Sequence, residues 1–100
     1  MPLTQQHRAI AQSNPEHFRR ALERASYTVR SDGRLLGIPS VRPMMIEVAA
    51  MRAIGADIQL DKKVWLDQHE ENHPAIVEVL DRAVEEARAA ISDLPPPRRA

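Results

Sequence analysis

Between residues 76 and 91 the apolar side chains fall at Ile76, Val77, Leu80, Ala83, Val84, Ala87 and Ile91. Steps of three and four place them on one side of a helix, where a strand would demand steps of two. Such a stripe has to be covered, so the rest of the chain must supply an apolar surface to meet it. Pro74 suits the first turn of this helix, because an N–H there would have no intrahelical partner anyway. Glu78 and Arg82 stand four residues apart opposite the stripe and are expected to pair along the helix. The near-heptad spacing also fits a coiled-coil dimer, although the run is shorter than the three or four heptads such an assignment needs.

The remainder reads the same way. Asn14 is placed as an N-cap, Pro15 at the first helical position and Glu16 beside the positive end of the dipole. Phe18, Ala21, Leu22, Ala25 and Val29 continue as one stripe. Ser31-Asp32-Gly33 is expected to end that helix, with Gly33 as a left-handed cap. Residues 27–36 also admit a β-hairpin around Asp32-Gly33, but the unbroken stripe from Phe18 favours helix. A second helix starts near Ser40 to Pro43 and runs from Met44 through Ile54 to Gly55. Only Glu47 and Arg52 interrupt its apolar surface, which predicts a central, buried helix. Its three methionines suit an adaptable partner groove or ordinary core packing, and core packing is favoured.

Ala56 to Leu60 reads as a linker. Asp61 then caps a short helix, Lys62 to about Glu71, that carries Val64, Trp65 and Leu66. At the ends, residues 4–13 form a short helix behind Thr4 with Ile10 as its anchor, and Leu94 to Ala100 is an extended, frayed tail with proline-rich-ligand character as the alternative. The expected architecture is all-α: a compact single-domain bundle of four or five helices over residues 1–100, with 1–13 and 93–100 flexible or peripheral.

Composition narrows the function classes. There is no cysteine, which removes disulfide frameworks, thiol chemistry and thiolate metal sites. No apolar run reaches the ~18 residues of a membrane span, and the first residues lack a signal-peptide core; a cytoplasmic protein is expected. Arginine outnumbers lysine 12 to 2, a bias that suits a bacterial or phage protein from a GC-rich genome. The zero net charge conceals a division: residues 1–55 carry eight arginines against four acids, and residues 56–100 carry six bases against ten acids. Such a division can mark an acidic partner. The reading favoured here is that the two halves face each other, within the fold or between protomers.

One segment matches a catalytic pattern. His69-Glu70-Glu71-Asn72-His73 is H-E-x-x-H, with which zinc metallopeptidases place two histidines on one helical face and a glutamate beside the metal-bound water. The pattern needs helix through the second histidine and beyond. Pro74 opposes that, because its ring disfavours helical backbone at His73 and removes the N–H that would bond to Glu70, at a cost of about 3 kcal/mol. The segment is polar throughout, Ile76 and Val79 stand where an extended motif would need glycine and histidine, and this composition yields such a match by chance in roughly one chain in eighty. It is read as a junction between helices, with no metal and no cofactor.

The remaining histidines and carboxylates lie in polar helical settings, and no phosphate loop or nucleophile elbow is present, so a non-enzymatic role is expected. A helix-turn-helix formed by Gly55, the linker and Lys62, Lys63 and Gln68 is the nucleic-acid alternative. Asp57, Asp61, Asp67, Glu70 and Glu71 around those lysines oppose it. The leading expectation is a small protein-binding module: an adaptor, an assembly factor or an inhibitor of a larger complex, of phage or mobile-element type. Its candidate partner-binding residues are Arg19, Arg20, Arg24 and Trp65, since Arg and Trp concentrate at interface hot spots. Homo-oligomerisation is a further candidate, and no membrane partner is expected.

Overall fold

The computed structural model describes residues 4–35, 43–58 and 73–99 of the chain. Within them lie four helices: α1 (Gln5–Ser13), α2 (Pro15–Leu35), α3 (Pro43–Ala53) and α4 (His73–Ala90). No strand occurs among the described residues, and the fold is an all-α bundle. The hairpin alternative at 27–36 is not taken. Thr28 and Val29 are instead buried on the inner side of α2.

Local chemistry accounts for the helix starts. Thr4 caps α1 by accepting the His7 N–H at 3.2 Å, and its own N–H donates to His7 Nδ1 at 3.2 Å. This is a capping box in which histidine stands where glutamate or glutamine is usual. Asn14 ends α1 and opens α2: its N–H bonds to Ala11 O and its carbonyl accepts from Phe18 N. No residue of α1 is fully buried, and Ile10 and Ala11 rest on the margin of the core.

The expected stop at Ser31-Asp32-Gly33 does not occur, because α2 continues to Leu35 with Gly33 buried inside the helix. Glycine costs a helix interior about 1 kcal/mol. Tertiary contacts exceed that here: Asp32 accepts from Arg82 Nε of α4 at 2.8 Å, and α4 is the most extensive neighbour of α2. The same bond corrects the expected Glu78–Arg82 pair, since Arg82 reaches across to α2 rather than along its own helix.

The end expected for the next helix at Gly55 is present as a left-handed cap, with φ of 102°. Gly55 N–H bonds to Arg52 O at 3.1 Å and Ala56 N–H to Met51 O at 3.0 Å, the two bonds of a Schellman motif. After it, Ile54, Ala56 and Ile58 turn inward, and Arg52 donates Nε and Nη2 to the Ile58 carbonyl at 2.9 and 2.6 Å. The rest of the expected linker and the expected helix from Lys62 to Glu71 lie outside the described residues.

The core joins α2, α3 and α4. Helix α3 is its centre, as its composition predicts, with Met45, Ile46, Val48, Ala49, Ala50, Met51 and Ala53 buried and contacts to both neighbours. Met45 and Met51 are core residues. From α4 come Ile76, Leu80, Ala83, Val84, Ala87 and Ile91, joined by Val79, which the expected stripe omitted; Val77 is only half-buried. Helix α4 is covered from two sides, so its apolar arc is shifted relative to a single-faced stripe. Ala21, Ala25, Ala49, Ala50, Ala83 and Ala87 have no exposed surface, and alanine at these positions allows the helices to approach closely.

The tail is extended, as its prolines dictate, but the expectation of a frayed terminus is corrected. Leu94 packs on the core. Asn14 Nδ2 donates to Arg98 O and Asn14 Oδ1 accepts from Arg98 N, both at 2.7 Å. His17 Nε2 donates to Pro95 O.

Candidate functional site

The three arginines chosen from the sequence sit on the outer side of α2 and are largely engaged within the molecule. Arg20 Nη1 donates to both oxygens of Asp93, at 2.8 and 2.9 Å, while Nη2 lies 3.4 Å from Glu16. Arg24 donates Nη2 and Nε to Glu86 Oε2 at 2.7 and 3.2 Å and stacks over the Tyr27 ring at 5.2 Å. Arg19 pairs with Glu23 along the helix at 3.2 Å and remains exposed. The hydrogen bond from Arg20 is the main cause that holds the Asp93 carboxyl below its usual value, with the Asp93 backbone N–H second. Reciprocally, Asp93 raises Arg20. The charge division of the sequence is thus met partly across the α2–α4 seam, the intramolecular form of the favoured reading.

Trp65, the fourth candidate, lies outside the described residues, as do Lys62, Lys63 and Gln68 of the helix-turn-helix reading and His69 to Asn72 of the H-E-x-x-H segment. What is described of that segment is its end: α4 begins at His73, where Pro74 places a helix start. Among the described residues no three His, Asp or Glu side chains gather as metal ligands. His7 and His17 serve the α1 cap and the tail contact. No helix among the described residues is long and apolar enough to cross a membrane.

Two surface features escaped the sequence reading. The first is an open groove of about 680 Å³ between α2 and α3, lined by Phe18, Leu22, Ser26, Pro43 and Ile46, with Glu23 and Glu47 on its rims. Phe18 and Leu22, assigned to the core stripe, do pack against the core but are only partly buried at its edge. Helical periodicity finds the arc of a helix but not how wide a neighbour covers it. The second is the outer face at the end of α2, where Tyr27 is 65% and Leu35 83% exposed beside exposed Arg30 and Arg34. A signal for it was available: Arg30 and Arg34 have no carboxylate three or four residues away, whereas Arg19 and Arg20 have Glu16 and Glu23.

No known protein family matches the chain, and no curated protein or solved structure is significantly similar to it.

Proposed function

We propose that this chain is a non-catalytic protein-binding module, an adaptor, assembly factor or small inhibitor of a larger complex, that works through helical surfaces. The observation that carries the reading is the α2–α3 groove. Its floor of Phe18, Leu22 and Ile46 is apolar, and Glu23 and Glu47 stand on its rims. Grooves of this kind take the apolar ridge of an amphipathic helix. Of the two rim carboxylates, Glu23 already pairs with Arg19, while Glu47 forms no ion pair among the described residues. The occupant that fits is therefore an amphipathic helix with basic flanks. Compared with the arginines first chosen, which are tied up in ion pairs, this surface offers the partly buried Phe18 and Leu22 at the edge of the core.

The test is a pull-down from lysate with and without nuclease, using the wild-type chain beside Glu47→Lys and Leu22→Gln, each checked for native helicity. A defined complex that survives nuclease and is lost with both variants supports the groove. Capture that both folded variants retain overturns it, and recovery of nucleic acid alone, lost with nuclease or salt, favours the regulator reading instead.

A further inference from the structure

Helices α2 and α4 run antiparallel: Arg20, Arg24 and Asp32 meet Asp93, Glu86 and Arg82 in turn. Their outer sides form one face directed away from α3. Along its middle the charges are neutralised by those three pairs. Its margins differ. On the α2 margin stand Arg30 and Arg34, and on the α4 margin Glu78, Asp81 and Glu85, which helical spacing places on a single arc. All five are exposed. Among the described residues none of them enters an ion pair. Arg30 has only the Ser26 hydroxyl, at 3.1 Å. Between the margins lie the exposed rings and chains of Tyr27 and Leu35.

A face with one sign on each margin and apolar groups between is self-complementary. We propose that it is a self-association surface, on which two copies meet across a two-fold axis parallel to α2 and α4. Rotation about such an axis exchanges left and right margins while keeping the level along the helices. The levels agree: Leu35 and Glu78 line one shallow groove at the same end of the face, and Asp32 is level with Arg82. Arg34 of each copy then lies against Glu78 and Asp81 of the other, and Arg30 against Asp81 and Glu85. Tyr27 and Leu35 of both copies close the middle. The charge pairs on both margins hold the two copies together and set their register, excluding the parallel-shifted alternatives, while the apolar contact fills the middle. This surface is separate from the α2–α3 groove, so either inference can fail without the other.

The experiment is size by light scattering over a dilution series at low and high salt, on the full chain and two charge-reversed variants. One is Arg30→Glu with Arg34→Glu, the other Glu78→Arg with Glu85→Arg; all four positions are exposed, so native helicity is expected in both. The wild-type chain should approach twice its 11.3 kDa mass at low salt and lose that association at high salt. Each variant alone should stay at the single-chain mass, and an equimolar mixture should recover the doubled mass, because reversal on opposite margins restores both contacts. A wild-type chain that remains at single mass throughout, or a dimer that neither variant disturbs, overturns the proposal. So does a mixture that fails to recover although both variants are folded.

Discussion

Asn14 is 3% exposed, yet each of its polar groups has a partner. Its backbone ends α1 and opens α2, Nδ2 donates to Ile10 O at 2.8 Å and to Arg98 O, and Oδ1 accepts from Arg98 N. A sequence-level cap thus becomes the joint between two helices and the tail. Asn14→Ala leaves these backbone groups without partners and should lower stability by about 1–3 kcal/mol, read from the urea midpoint. Asn14→Asp should cost more, although aspartate is a good cap, because a carboxylate would face two carbonyl oxygens. Gly55 carries a different constraint. A Cβ added there meets nothing within 4 Å, so the whole effect of Gly55→Ala comes from its positive φ, about 1–2 kcal/mol. Gly55→Asn should lose less, since asparagine tolerates the left-handed region.

At the scale of elements, the seams between helices are built from small residues. Ala25 is fully buried on α2, so Ala25→Leu should destabilise by about 1–3 kcal/mol through overpacking despite leucine's good helix propensity. Thermal melting followed by circular dichroism would measure it, and an unchanged or raised midpoint would contradict the close packing described. The tail is an element held by polar contacts. Because Asp93 has a lowered pKa in the folded state, the stability it contributes is present in full above the ordinary carboxylate range. It is lost as pH falls through the lowered pKa. The Arg98 amide resonance should therefore move toward its unbound position on acidification. In Asp93→Asn, the part of that movement due to Asp93 should disappear.

For the whole molecule, the radius of gyration of 13.1 Å agrees with the ~13 Å expected of a compact chain this long. Small-angle scattering at high salt and low concentration should return that value, and a markedly larger one would mean that the bundle opens in solution. The same measurement at low salt reads the self-association inferred above. Charge is the property that acts at this scale: the halves of the sequence are oppositely charged, and only some of that charge is neutralised across the α2–α4 seam. The margins retain Arg30 and Arg34 on one side and Glu78, Asp81 and Glu85 on the other.

How much of this was legible beforehand differs by kind of information. Helix existence, the proline-marked starts of α2 and α4, the Thr4 cap and the buried character of α3 follow from local rules, because steric preference and helical periodicity act over three or four residues. The end of α3 at Gly55 follows as well, whereas the stop expected at Gly33 does not, because the packing of α2 against α4 carries the helix through it. The partners of Arg20, Arg24 and Arg82, the anchoring of the tail by Asn14, and the half-covered state of Phe18 and Leu22 are likewise contacts between distant residues. The sequence by itself determined which stretches coil and which arc of each is apolar, since those are properties of a helix alone. Only the tertiary structure decided which charges are neutralised and which remain outside, since that depends on what lies across each seam.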